Sequence, residues 1–218
     1  MTTSSSTDAR EKLLDAASTL FYERGIVATG VDTVVAAAGV SKPTLYAHFG
    51  SKSELVAAVL RRRHASHLAT LPAWLGEAAD DPLERLLAVF DWLADLHTRG
   101  APRGCAFLNA AAETPDADHP AQEIIRRQKH WLVDYIAELA ASAGLAHPAR
   151  LGSQLLLLID GASSRVLVEA GADQAGQVAE IVTQARLAAE VLIAHAGRPA
   201  PTVTTRPVPP TQRRPPPG

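Results

Sequence analysis

Within thirty residues, from Gly25 to Glu54, the chain closes one helix and opens three more, and this punctuation limits the fold more than any other feature of the sequence. Gly25 supplies the first stop. Thr29 and Asp32 have the Ser/Thr-x-x-Asp/Glu spacing in which side chains satisfy the free N–H groups of a first turn, and Gly39 ends the short helix that follows through Val34, Val35 and Ala38. Ser41 caps the next helix, with Pro43 in its first turn, where a missing N–H does no harm. Ser51 and Glu54 repeat the capping box for a fourth, running through Leu55, Val59 and Leu60 into Arg61, Arg62 and Arg63. Upstream, Asp8 and Glu11 have the same relation ahead of a helical stripe of Leu13, Leu14, Ala17, Leu20 and Phe21. Residues 1–6 before it read as a disordered polar leader.

Beyond this region the helices lengthen. Pro82 opens one with the stripe Leu83, Leu86, Leu87, Phe90 and Ala94, ending near Arg99. A segment rich in small residues, 103–113, and a Pro/Asp loop lead to an amphipathic helix carrying Ile124, Ile125, Trp131, Leu132, Tyr135, Ile136 and Leu139, closed by Gly144. Pro148 starts another, containing the unbroken run Leu155–Ile159, and a last one carries Val178, Ile181, Val182, Ala185, Ala189 and Leu192. The tail 198–218 holds eight of the fifteen prolines and no acid, and reads as a disordered basic segment. With 41 alanines and only 5% aromatics, the composition agrees with helices throughout. The expected fold is all-α: an N-terminal three-helix helix-turn-helix domain over 7–66, with its motif at about 30–49, and a larger helical domain over 67–197.

The net charge of −2 conceals a division between these parts. Residues 1–66 carry +2, residues 67–197 carry −8 and the tail +4, and Arg24 to Arg63 alone carries six basic residues against two acidic ones. A basic head on an acidic body points to a polyanion-binding end. In the stretch VDTVVAAAGVSKPTLYAHFG, glycine permits the tight turn, Val40 plugs it, and Leu45 and Phe49 anchor the second helix from below. The outer residues Lys42, Thr44, Tyr46 and His48 are then free to enter a major groove.

The run SKPTLYAHFGSKSELV resembles the recognition helix and following helix start of the tetracycline-repressor (TetR) family of bacterial regulators, and the resemblance extends over roughly Arg10 to Arg63. It implies a homodimer on a palindromic double-stranded DNA operator, with Lys42, Pro43, Thr44, Tyr46 and His48 at bases and phosphates and Lys52 clamping a phosphate at a helix N-terminus. Thr29, Thr33 and Ser41 complete the expected contact set. Asp32 departs from the family pattern, which often has a basic or polar residue there; it is read as the capping partner of Thr29, with a cytosine amino group as the alternative partner. Val35 stands where alanine is usual.

The Leu155–Ile159 run is apolar on every side of a helix, which calls for a second subunit, the alternative being a wholly internal helix of a monomer. The family packs its last two long helices into a four-helix dimer interface, and Gly152, Ser153, Gly161, Ala162 and Ser163 would permit close approach. The resemblance also implies a pocket for a small-molecule effector in the C-terminal domain. Cys105, Asn109 and Glu113 share one helical face, and Phe107, Trp131, Tyr135, Asp160 and Arg165 add apolar wall and polar anchors.

Other classes leave no trace. Nucleotide-binding glycine loops, the nucleophile elbow and the zinc-protease motif are all absent, so no enzyme is expected, nor a cofactor or metal. His64 and His67 share a helix face beside three arginines and read as a solvated or phosphate-facing patch. One cysteine forms no intramolecular disulfide. No signal peptide and no uncharged apolar run of membrane length is seen, so a cytoplasmic, non-membrane protein is expected. Two alternatives stay open: a redox-responsive regulator using Cys105, and a helical interaction module that never binds DNA.

Overall fold

The computed structural model describes residues 3–99, 103–169 and 174–196; the proline-rich tail lies outside them. In chain order these form α1 (Thr3–Arg24), α2 (Val31–Ala38), α3 (Lys42–Phe49), α4 (Lys52–Ala78), α5 (Pro82–Arg99), α6 (Ala106–Glu113), α7 (Pro120–Ser142), α8 (Pro148–Val168) and α9 (Gln174–His195), with no strand among the described residues. The all-α expectation holds, as do the stops at Gly25, Gly39 and Gly144, each with φ between +65° and +92°. α1 starts earlier than the sequence implies. Thr3–Ser6, expected as a disordered leader, are helical, and Asp8 sits inside the helix, 2.6 Å from Lys12 one turn on, rather than capping it.

Two cores hold the chain together. The first joins Leu13, Leu14 and Ala17 of α1 to Val34 of α2, Leu45 and Phe49 of α3, and Leu55 and Val56 of α4. Phe107 and Ala110 of α6 and Ile124 and Ile125 of α7 belong to the same cluster. The head is therefore seated on α6 and the start of α7, and each fully buried Leu or Phe in that seat contributes about 1.5–3 kcal/mol by leaving water. The second core gathers Leu71 and Leu75 of α4, Leu86 and Phe90 of α5, Ile136 of α7, Leu155 and Ile159 of α8, and Val178 and Ala189 of α9. α4 crosses from one core to the other without a break, passing straight through the boundary expected at 66/67.

Close approach between helices depends on two glycines. A Cβ on Gly152 of α8 would stand 2.8 Å from the Val133 carbonyl oxygen of α7, so this glycine serves packing within the chain rather than the subunit interface expected of it. Ala162 and Ser163 are likewise buried inside the chain. Gly104, with φ +69°, brings the turn before α6 so near α8 that a Cβ there would lie 2.3 Å from the Ser163 carbonyl oxygen. By length and average apolarity α8 would pass as a membrane span. Arg150, Asp160 and Arg165 punctuate it, however, and its buried face packs against α7 and α9.

Candidate functional site

The turn between α2 and α3 is built from local bonds. Gly39, in the left-handed region, donates its N–H to Ala36 O at 3.3 Å, and Val40 donates to Val35 O at 3.1 Å, closing α2 as a helix C-terminus favours. Ser41 caps α3: its Oγ accepts the Thr44 N–H at 3.3 Å and shares a 2.7 Å hydroxyl bond with Thr44 Oγ1. Leu45 and Phe49 face inward, fully buried or nearly so, and Val40 is half-buried against the same core. That leaves Lys42, Pro43 and Tyr46 exposed on the outer side of α3, with Thr44 and His48 half-buried beside them. Thr33 of α2 is exposed as well. Lys52 is the first residue of α4, where Ser51 Oγ accepts the Glu54 N–H at 3.1 Å.

Two expectations for this surface need correction. Thr29 is only 1% exposed, and its hydroxyl donates to Gly25 O at 2.7 Å, within reach also of Leu20 O at 3.3 Å. It satisfies carbonyls left over at the end of α1 and cannot reach DNA. The residue at the N-cap of α2 is Gly30, without a side-chain cap, so Asp32 is not the partner of Thr29. Asp32 Oδ1 lies 2.9 Å from Lys42 Nζ instead, and this hydrogen-bonded ion pair raises the lysine's pKa above its ordinary value.

The body contains a cleft of about 480 Å³, part of it open to solvent, between α4, α5, α7, α8 and the turn at Gly104–Cys105. Trp92, Leu96, Trp131, Leu132 and Ile159 form its apolar wall. Among its polar groups, Lys129 Nζ lies 2.5 Å from Asp160 Oδ1 and 3.7 Å from Cys105 Sγ, and His97 Nε2 lies 3.0 Å from Ser163 Oγ. Gln128 is 2% exposed, and its Oε1 has no hydrogen-bond partner. His67 stands edge-on to Trp92 and Phe107, at centroid distances of 5.5 and 5.8 Å. Burial, reinforced by the charges of Arg63 and Lys129 and by the neighbouring His64, pulls its pKa down to about 4, so the ring is neutral at pH 7.

Of the residues expected in a pocket, Cys105, Trp131 and Asp160 line this cleft. The others do not. Phe107 is fully buried in the core under the head. Asn109 donates to Arg103 O at 2.9 Å, and Glu113 Oε2 accepts the Val27 N–H at 2.8 Å, so both tie α6 to its surroundings beside a smaller cleft between α1 and α4. Tyr135 stacks on the outer side of Trp131, with ring planes 11° apart, and Arg165 is exposed, 3.1 Å from Glu169. The expected solvated histidine patch is also corrected: His64 is 8% exposed and sits edge-on to Trp131, and His67 faces the cleft. The residues missed were Arg63, His67, Gln128 and Lys129. Gln128 left a signal, since it is a polar residue on the apolar stripe between Ile124, Ile125 and Leu132. Among the described residues no three His, Cys, Asp or Glu side chains are grouped to hold a metal ion.

A capped two-helix turn with an exposed second helix, carried on a separate helical body with its own cleft, defines the class: a two-part helix-turn-helix protein. Comparison with known proteins gives the family. Residues 13–59 match the model of bacterial regulatory proteins of the tetR family. The structure superimposes on a TetR transcriptional regulator from Streptomyces avermitilis, 35% identical, over 84% of this chain and 98% of that one, with a TM-score of 0.69. A TetR-family transcriptional regulator from Streptomyces coelicolor is 29% identical over 86% and 97% of the two chains, with a TM-score of 0.76. The HTH-type transcriptional activator FasR of Mycolicibacterium smegmatis is 42% identical over 88 residues, 40% of each chain. The chain belongs to the TetR family. It spans about half or less, 40–52%, of the length of the curated relatives it matches first.

Proposed function

We propose that the protein is a ligand-responsive transcriptional regulator, a homodimer that binds a palindromic operator through α3 and releases it when a small molecule occupies the cleft. The observation that carries this reading is the division of labour on α3, where Leu45 and Phe49 are buried while Lys42, Pro43 and Tyr46 stand free. A helix so anchored presents hydroxyl, ammonium and aromatic groups to a major groove at no cost in reorganisation, and Lys52 at the α4 N-terminus suits a flanking phosphate. Thr33, Thr44 and His48 complete the contacting surface, with Ser41 serving as cap.

Two recognition helices must lie about 34 Å apart to read both half-sites of such an operator. The surface of α8 and α9 supports a dimer that would hold them there. Four of the eight large apolar side chains that the described residues expose are Leu157 (73% exposed), Val168 (80%), Leu187 and Val191. Leu157, Gly161, Ser164 and Val168 fall on one stripe of α8, and Leu187 and Val191 lie one turn apart on α9. A DNA-binding regulator acts at the chromosome, hence in the cytoplasm, and repression through release by an effector is the mode proposed. In it the ligand favours a conformation in which the two α3 helices no longer match the operator spacing.

Fluorescence anisotropy against DNA flanking the protein's own gene tests the assignment. Joint Tyr46→Ala and Lys52→Ala substitution is expected to abolish specific binding, and retained binding would overturn it. Leu157→Glu is expected to convert a dimer to a monomer in sedimentation and to weaken operator binding with it.

A further inference from the structure

We infer that the cleft takes an organic anion: a flat apolar body against the indoles of Trp92 and Trp131, with a carboxylate-type group on Arg63. The inference rests on the cleft being the effector site and adds the chemistry of what enters it. Arg63 leaves α4 toward the interior, lining the cleft as well as the more open groove between α4 and α5. Its guanidinium lies 5.0 Å from the centroid of the Tyr22 ring. Among the described residues it has no hydrogen bond or ion pair with a carboxylate.

The acids nearby are engaged elsewhere. Asp160 is held by Lys129 at 2.5 Å, and Asp95, on the open groove, by Arg99 at 2.6 Å. Tyr22, the phenol beneath the guanidinium, accepts the Arg103 N–H at 2.7 Å and donates to Gly104 O at 3.0 Å. Burial pushes its pKa up to about 12, so it stays neutral and supplies a π-face rather than a counter-charge. The same burial disfavours the charge on Arg63 and lowers its pKa. A guanidinium withdrawn from water without an anion is costly, and a ligand carboxylate removes that cost through paired N–H donors in a geometry no other side chain reproduces.

The remaining polar groups favour the same class. With Lys129 matched by Asp160 and His67 neutral, the Arg63 guanidinium stands on the cleft without a carboxylate beside it, which disfavours a cationic ligand. The buried Gln128 carboxamide, its oxygen without a partner, offers a hydrogen-bond site to a hydroxyl or amide on the ligand body.

The test uses an isosteric pair, 2-naphthoate and the uncharged 2-naphthamide, titrated into the full chain and followed by calorimetry and by quenching of the cleft tryptophans. Naphthoate is expected to bind at least tenfold more tightly than the amide. Arg63→Gln should erase that difference and Arg63→Lys should retain part of it, with circular dichroism verifying the fold of both variants. Equal affinities, or a preference that survives Arg63→Gln, overturn the anion inference while leaving the cleft as a ligand site. Failure of both compounds to bind at millimolar concentration, or binding unaffected by Trp131→Ala, overturns the cleft reading itself.

Discussion

Replacing Gly104 with alanine is expected to be among the most damaging single-methyl changes in the chain, and a second glycine serves as its control. Both Gly104 and Gly39 adopt left-handed backbone, with φ +69° and +65°. An L-residue in that region costs roughly 1–2 kcal/mol. At Gly39 nothing lies within 4 Å of the added Cβ, so the backbone cost is the whole effect. At Gly104 the new methyl would stand 2.3 Å from the Ser163 carbonyl oxygen, and α8 or the turn must retreat by about 1 Å to restore ordinary contact. Overpacking of this kind adds about 1–3 kcal/mol, for a total of about 2–5 kcal/mol against about 1–2 at Gly39. At roughly 2–4 °C per kcal/mol for a chain of this size, Gly104→Ala should lower Tm by about 4–20 °C. Thermal denaturation of the three proteins at one fixed concentration, since the proposed dimer would make Tm concentration-dependent, is the assay. Equal losses at the two positions would show that the approach of the turn to α8 does not constrain the fold, and the reasoning would fail.

Three further perturbations separate the roles assigned above. Asp32→Asn frees Lys42 from its ion pair, so operator binding should strengthen and the salt dependence of log K should steepen by about one unit; an unchanged slope means Lys42 does not meet phosphate. Glu113→Ala removes the acceptor of the Val27 N–H and should lower stability by about 1–2 kcal/mol without altering effector affinity, whereas lost ligand binding at unchanged Tm would return Glu113 to the pocket. His67 binds a proton less readily folded, at about 4, than at the 6.5 of an unfolded chain, so the unfolded state takes up more protons between those values. Stability should therefore fall as pH drops from about 6.5 to 4, by up to about 3 kcal/mol, and urea titrations of His67→Phe should show a smaller loss over that window.

The reading head was legible because its signals are local. The Gly39 turn and the Ser41 and Ser51 caps each close through bonds to residues within five positions, so residue type at fixed spacing is enough to place them. Thr29 had the same spacing and did otherwise, because the end of α1 offered its hydroxyl two carbonyls inside a buried corner. The pocket was less legible for a related reason. Cys105, Asn109 and Glu113 do follow helical spacing, but α6 is wedged between head and body: Cys105 faces the cleft at its N-cap, while the other two face α1. Arg63 and His67 looked solvated beside other basic residues. What covers His67 is Trp92 and Phe107, 25 and 40 positions away, and no local pattern announces a burial that depends on them.

The unbroken course of α4 makes it a lever as well as a shared wall. Its 27 residues extend about 40 Å at 1.5 Å per residue, and Arg63 lies about 16 Å along from Lys52. Pro72, which has no N–H to offer the Leu68 carbonyl, puts the natural bending point beyond Arg63, in the part embedded in the body. The segment between Lys52 and Arg63, an unbroken stretch of helix, would therefore tilt as a stiff arm. A tilt of about 5° pivoting at Arg63 carries the Lys52 end through about 1.4 Å, half the length of a hydrogen bond. In the proposed two-fold assembly the displacement would be applied at both ends, and the two heads would change their separation by up to twice that amount.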